Sequence, residues 1–138
     1  MNTDYILIEG DLNRIKNFVE SLEDKYDIQI TKDPVIGLTM VRANDSVEFQ
    51  EFYLGEVLIT ETEVSINNKM GSGICIGDSP IRSYCQAVFD AVLQLKDENY
   101  EEITSFLAKE ENLIHDKEKE ENYEIQKTKV NFKLMEQN

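Results

Sequence analysis

The chain has no tryptophan, one histidine, two cysteines and two prolines among its 138 residues. Each scarcity narrows the chemistry. The single histidine, His115, sits in the charged run Asn112–Glu121, a solvated setting. A Ser-His-Asp or Cys-His system needs its imidazole held in a pocket by a third group, and nothing in that context supplies one. One histidine and two cysteines also fall short of a zinc-ligand set, and Cys75 and Cys85 do not form a CxxC pair. One cysteine falls in an expected strand and the other in an expected helix, so both read as small buried thiols. No apolar run approaches the ~20 residues of a membrane span. The opening MNTDYILIEGD lacks the basic start and the apolar length of a signal peptide, so the expected compartment is a reducing cytoplasm.

Positive charge is also scarce. Fourteen Lys and Arg stand against 28 Asp and Glu, a net charge of −14. Such a field repels nucleic acid, anionic lipid and free nucleotide phosphates at long range, so neither nucleic acid nor membrane is an expected partner. Much of the charge lies between Lys96 and Glu124, as a solvated helix face or as an acidic surface for a basic partner subunit. The apolar share, 41%, is modest but strongly patterned, which argues for one folded domain over residues 1–138.

What is present reads as alternating ribbons between helices. Asp11 caps a helix from Leu12 to about Tyr26, with Leu12, Ile15, Val19, Leu22 and Tyr26 on one stripe. A short strand over Asp27–Thr31, a turn at Asp33-Pro34, a strand over Ile36–Arg42, a turn at Asn44-Asp45 and a returning strand over Val47–Leu54 follow. Gly55 marks a bend. Glu56–Asn67 alternates, with Leu58, Thr60, Thr62, Val64 and Ile66 on one face and Val57, Ile59, Glu61 and Glu63 on the other. Asn67-Asn68-Lys69 has the chemistry of a tight turn. Met70–Gly77 carries Gly71, Gly73, Cys75 and Gly77 on one face, leaving room for a helix or a ligand against the backbone. Ser79 as N-cap and Pro80 at N1 start a second long helix. Its expected buried stripe is Ile81, Cys85, Val88, Val92 and Leu95, with Ser83, Ala87, Asp90 and Gln94 on the far side. A charged helix over about 100–127 comes next. The alternation of Val130, Phe132 and Leu134 suggests a short final strand or arm over 129–135. This order predicts an α+β fold with an antiparallel sheet of about four to five strands, covered by two to three helices.

No residue stands out as catalytic, cofactor-binding or metal-ligating. The glycines from Gly71 to Gly77 fail the spacing of a dinucleotide fingerprint, and no GK[ST] follows for a phosphate loop. The helix start at Asp78-Ser79-Pro80 offers free N–H groups to an anion, with Arg82 and Lys69 in support and Asp78 opposed. Glu61 and Glu63 project from one strand face ~7 Å apart. Such a pair can do acid–base work or hold magnesium, although same-face acids on a solvated sheet are far commoner. The candidates for an interface or a composite site are Glu56, Thr60, Glu61, Glu63, Gly71, Gly73, Gly77, Asp78, Arg82 and Asp90.

Several of these segments, taken in order, resemble one family. Gly55-Glu56-Val57-Leu58-Ile59-Thr60-Glu61 is similar to a G-E/D-x-L-x-T-E run. Gly71 through Asp78 is similar to G-x-G-x-x-x-G-D, and Asp90-Ala91-Val92-Leu93 to D-A-x-L. Lys129-Val130-Asn131-Phe132 resembles a T/R-x-V-x-F ending, and Ile36–Val41 a first long strand. Together they resemble the PhnG subunit of the bacterial carbon–phosphorus lyase core complex, over about residues 26 to 135. The resemblance implies a cytoplasmic accessory subunit in phosphonate catabolism. Acting with PhnH-, PhnI- and PhnL-like partners, it would serve a transferase that displaces adenine of ATP by methylphosphonate. The product would be α-D-ribose 1-methylphosphonate 5-triphosphate. The resemblance also implies a core shared with a PhnJ-like lyase, ATP as substrate of the complex, no cofactor of the chain's own and no catalysis by the chain alone. Two other readings are an independent nucleotide- or phosphonate-binding protein and an acidic adaptor. The long ribbons and the trailing arm also suit a homodimer of the isolated chain.

Overall fold

The computed structural model describes residues 2–44 and 51–136. The elements are α1 (Thr3–Glu9), α2 (Leu12–Glu23), β1 (Gln29–Asn44), β2 (Glu51–Ile66), β3 (Lys69–Ile76), α3 (Pro80–Leu95) and α4 (Tyr100–Glu136). The α+β class holds. Among the described residues there is one antiparallel sheet of three strands, in the order β1-β2-β3.

Three long strands replace the four to five expected, because two breaks in the sequence are absorbed inside strands. Asp33-Pro34 does not turn the chain. The register between β1 and β2 slips between Ile30 and Lys32 and again between Lys32 and Val35, and the strand runs on. A bulge on an edge strand is where a proline, lacking an N–H, costs no ladder bond. Gly55, at φ +147°, similarly bends β2 beside a slip between Val41 and Arg42. The tight turn at Asn67 and Asn68 forms as expected, both residues taking left-handed φ of 49° and 68°. The expected turn at Asn44-Asp45 and the start of the Val47–Leu54 strand lie outside the described residues.

Two further expectations are corrected. The segment 129–135 is helix, not a strand or arm, because α4 runs unbroken to Glu136. Glu, Lys and Gln favour helix throughout this stretch, and three alternating apolar residues specify nothing without a neighbouring strand. The first residues form an extra short helix. The Asn2 side chain accepts the Tyr5 N–H at 3.2 Å, and α1 buries Ile6 and Leu7.

All four helices lie on one face of the sheet or beside it, and the core sits between. Ile15, Val19 and Leu22 of α2, Val64 and Ile66 of β2, Val88, Phe89 and Val92 of α3, and Ile103 and Leu107 of α4 are buried together. Phe18 stacks with both Phe89 and Phe106, its ring centroid 5.7 and 4.2 Å from theirs. Beyond Ile114 the side chains of α4 through Lys129 are exposed, so this helix overhangs the body.

Candidate functional site

The seam between α3 and the sheet is the most closely fitted part of the molecule. Gly71 and Gly73 face α3 so closely that a Cβ on either would sit 2.1 Å from the Ala87 carbonyl oxygen or 2.0 Å from that of Ser83. The face of α3 that meets them is Ser83, Ala87 and Ala91, all buried. This reverses part of the expected stripe. Ser83 and Ala87 point inward, and Ile81 is 46% exposed. Small residues were read as solvent-facing because they are not hydrophobic anchors, yet a glycine floor requires them.

Hydroxyl groups set the level of the helix on this floor. Thr60 Oγ1 donates to the Gly77 carbonyl at 2.6 Å and accepts the Ser79 N–H at 3.0 Å. Ser79 makes no side-chain cap, so Thr60 satisfies one of the N–H groups at the helix entry instead. Ser83 Oγ donates to the Gly73 carbonyl at 3.0 Å, and it lies 2.8 Å from the Thr62 hydroxyl. Thr60 and Thr62 are therefore buried polar residues with partners, as burial demands. Gly77 is not part of the glycine floor. A Cβ there would meet nothing within 4 Å, and its φ of +90° accounts for glycine.

The other candidates are spread around this seam. Glu61 and Glu63 lie on the opposite sheet face, where Lys32 Nζ donates to Glu61 at 2.8 Å. That contact raises the Lys32 ammonium above its ordinary value. Asp90 is at the sheet edge, accepting the Ser72 N–H at 3.0 Å, and Gln94 Nε2 donates to the Met70 carbonyl at 2.7 Å. These two side chains occupy backbone groups on the free edge of β3 that another strand would otherwise pair with. Arg82 Nη1 donates to the carbonyls of Leu7 and Gly10, at 2.6 and 3.1 Å, and closes the C-terminus of α1. Asp78 and Glu56 are exposed. Thr60, Gly71 and Gly73 thus meet at one seam, while the acids and Arg82 stand apart on separate surfaces.

Three contacts went unread in the sequence. Glu110 is buried and accepts two bonds from Arg14, 96 positions away. Cys75 Sγ donates to Gln86 Oε1 at 2.8 Å. Tyr26 donates to Asp97 at 2.5 Å and accepts from Asn99 at 2.9 Å. None has a local signature, because each joins two different segments of the chain.

Burial pushes the Cys85 thiol up to about 11, and burial also raises that of Cys75. Both stay protonated at neutral pH, so neither is a nucleophile. Ellman's reagent at pH 8 is expected to label neither thiol in the folded protein and both in denaturant; fast labelling of the native chain would overturn this. The unfolded chain loses the Cys85 proton first. Stability therefore declines as pH rises from the thiol's ordinary 9.0 through about 11, which an alkaline series of thermal melts reads.

Two hollows flank α3. One, of about 600 Å³, is lined by Asn2, Thr3, Asp4, Gln86, Asp90 and Leu93 and is acidic. The other, of about 300 Å³, lies between α2 and the start of α3 and is mostly apolar, with Val19, Ile30, Pro34, Ile81 and Tyr84 on its walls. Among the described residues no three His, Cys, Asp or Glu come together as a metal site. No helix there is long and apolar enough to cross a membrane.

Among the described residues, no layer covers the sheet face away from the helices. Val35, Ile74 and Ile76 are exposed there, Ile76 to 79%. They share that face with Glu61, Glu63 and Lys32.

The sequence model of the family described as "Phosphonate metabolism protein PhnG" matches residues 3–137. The chain belongs to the PhnG family. A curated relative from Rhizobium meliloti (strain 1021), named alpha-D-ribose 1-methylphosphonate 5-triphosphate synthase subunit PhnG, is 27% identical over 90 residues. That alignment covers 64% of this chain and 58% of the relative, so the chain spans a little over half the length of the relative it matches. Membership of the PhnG family places the protein in phosphonate metabolism. The glycine floor, Gly71 and Gly73, is then the structural content of the PhnG-like G-x-G-x-x-x-G-D segment, and Asp90 of its D-A-x-L segment.

Proposed function

We propose that this PhnG-family chain is a non-catalytic assembly subunit of a cytoplasmic phosphonate-processing transferase. It works with PhnI-, PhnH- and PhnL-like partners to displace adenine of ATP by methylphosphonate, giving α-D-ribose 1-methylphosphonate 5-triphosphate, in a core shared with a PhnJ-like lyase. The observation that carries the reading is the uncovered sheet. Ile74 and Ile76, and Val35 across Glu61 from them, are exposed apolar residues on a chain whose own core is already closed. Exposed apolar surface of this kind is costly in a solitary protein and ordinary in a subunit. The acids nearest to it, Glu61 and Glu63, are engaged or flanked by Lys32 and face no pocket.

The test is co-expression with the PhnI-like subunit, followed by gel filtration and assay. The expected result is a stable co-eluting complex, with no conversion of ATP and methylphosphonate by the isolated chain. Turnover by the isolated chain, or failure to co-elute, would overturn the proposal.

A further inference from the structure

The third strand and the covering helix stop at the same level. β3 ends at Ile76, opposite Ile59, and α3 begins at Pro80 above Thr60. The pairing of β1 with β2 does not stop there. It continues from Gly37 opposite Ile59 to Asn44 opposite Glu51 as a two-stranded ribbon. At strand rise this ribbon reaches ~25 Å past the body. A two-stranded ribbon alone in water is marginally stable at best, so its length needs a covering.

The side chains say on which faces. On the helix side of the sheet, Ile36, Leu38 and Met40 of β1 and Leu58 of β2 are exposed, Leu38 to 66%. On the opposite side, Val57 and Ile59 stand half-buried across from Thr39 and Gly37. A strand pair that docks by one face alternates apolar and polar residues. β2 itself does so nearer the body, where Thr62 and Val64 point in and Glu61, Glu63 and Ser65 point out. Over 36–40 and 57–59 the ribbon drops that alternation and carries apolar residues on both faces, with Glu56 opposite Met40 as the charged exception, which approaches the pattern of strands buried on both sides.

We infer that the ribbon 36–44/51–59 is an insertion arm, gripped on both faces by a slot in a partner subunit. The inference rests on the assembly reading above and names the surface that performs it. Two faces of ~25 by ~10 Å, with the adjoining patch at Val35, Ile74 and Ile76, approach the ~800 Å² that one partner contributes to a standard interface. Charge selects the occupant. The arm carries Glu56 and is bordered by Glu61 and Glu63, and the body carries the remaining excess of a −14 net charge. A second copy brings the same charge to the contact. A different subunit, with an apolar slot rimmed by Lys and Arg, is attracted by it.

Three single variants, Leu38→Gln, Val57→Gln and Ile125→Gln, are co-expressed with the PhnI-like subunit beside the wild type. Leu38 and Val57 sit on opposite faces of the arm, and Ile125 is an exposed apolar residue on the overhang of α4. The first two are expected to weaken association at least tenfold each, and Ile125→Gln to leave it unchanged. Hydrogen exchange on the wild type keeps the test independent of how the variants fold. Amides of 36–40 and 55–59 should exchange fast in the free chain and slowly in the complex. If the wild type assembles while the arm stays unprotected and Leu38→Gln binds normally, the arm is overturned and the assembly reading stands. If only one face matters, docking is one-sided and the slot is overturned. If the free chain is a dimer with its arm already protected, the occupant is a second copy. If the wild type fails to assemble, both readings fall.

Discussion

An alanine at Gly73 is expected to cost about 3 kcal/mol of folding stability, which for a domain of this size lowers the melting temperature by roughly 10 °C. The new Cβ would stand 2.0 Å from the Ser83 carbonyl oxygen, 2.9 Å from the Ala87 nitrogen and 2.9 Å from the Gln86 Cβ. The first two are backbone atoms of α3, so no side-chain rotation relieves the clash, and the helix itself must lift. It cannot lift freely. Ser83 is bonded to the Gly73 carbonyl at 3.0 Å and lies 2.8 Å from the Thr62 hydroxyl, both buried contacts. The Ser79 N–H is tied to Thr60 at 3.0 Å. Raising α3 breaks these bonds and leaves buried hydroxyls without partners, which adds to the steric cost. Gly71→Ala follows the same logic against Ala87 and Ala91, at 2.1 and 2.7 Å. Gly37→Ala is the control, since its Cβ would meet nothing within 4 Å. Thermal melts followed by circular dichroism decide it. A Gly73→Ala protein that melts with the wild type, as Gly37→Ala is expected to, would show that the seam is looser than described.

The glycine floor was half legible. Alternation placed Gly71, Gly73 and Cys75 on one strand face and implied close approach. It did not show which face of α3 came down on them, because a hydrophobic-stripe reading ranks Ile81 and Leu95 above Ser83 and Ala87. Helix starts at Asp11 and Ser79-Pro80, and the turn at Asn67-Asn68, were readable because capping and left-handed φ are local chemistry. Strand ends were not. Asp33-Pro34 and Gly55 are turn signals in isolation, and only the partner strand decides whether a bulge absorbs them. The ribbon shows the opposite failure. Leu38, Met40 and Leu58 are visibly apolar residues of expected strands. Their exposure follows from where β3 and α3 end, which no local pattern records. The end of α4 was misjudged on a three-residue alternation that helix propensity outweighed.

Arg14→Ala is expected to destabilise the protein by about 3 kcal/mol, and Glu110→Gln by only about 1 kcal/mol, although the two residues share one ion pair. The asymmetry comes from where each end lies. Glu110 is 2% exposed, at the junction where α1, α2 and α4 meet. Arg14 reaches it with its side chain 51% exposed, placing Nε 2.7 Å from Oε1 and Nη2 3.2 Å from Oε2. When Glu110 becomes a glutamine, the arginine head loses a partner but keeps its water, and the amide still accepts a bond. When Arg14 is removed, a carboxylate is stranded in a place water scarcely reaches, and the cost is that of an unpaired buried charge. One consequence separates this account from simple loss of contact. The double variant Arg14→Ala/Glu110→Gln is more stable than Arg14→Ala alone, since neutralising Glu110 removes the charge that had no partner. Urea titrations of the three variants measure it. Equal penalties for the two single variants would mean that Glu110 is hydrated in solution. In that case the junction of α1, α2 and α4 would be held by its apolar residues and by Arg82 on the carbonyls of Leu7 and Gly10.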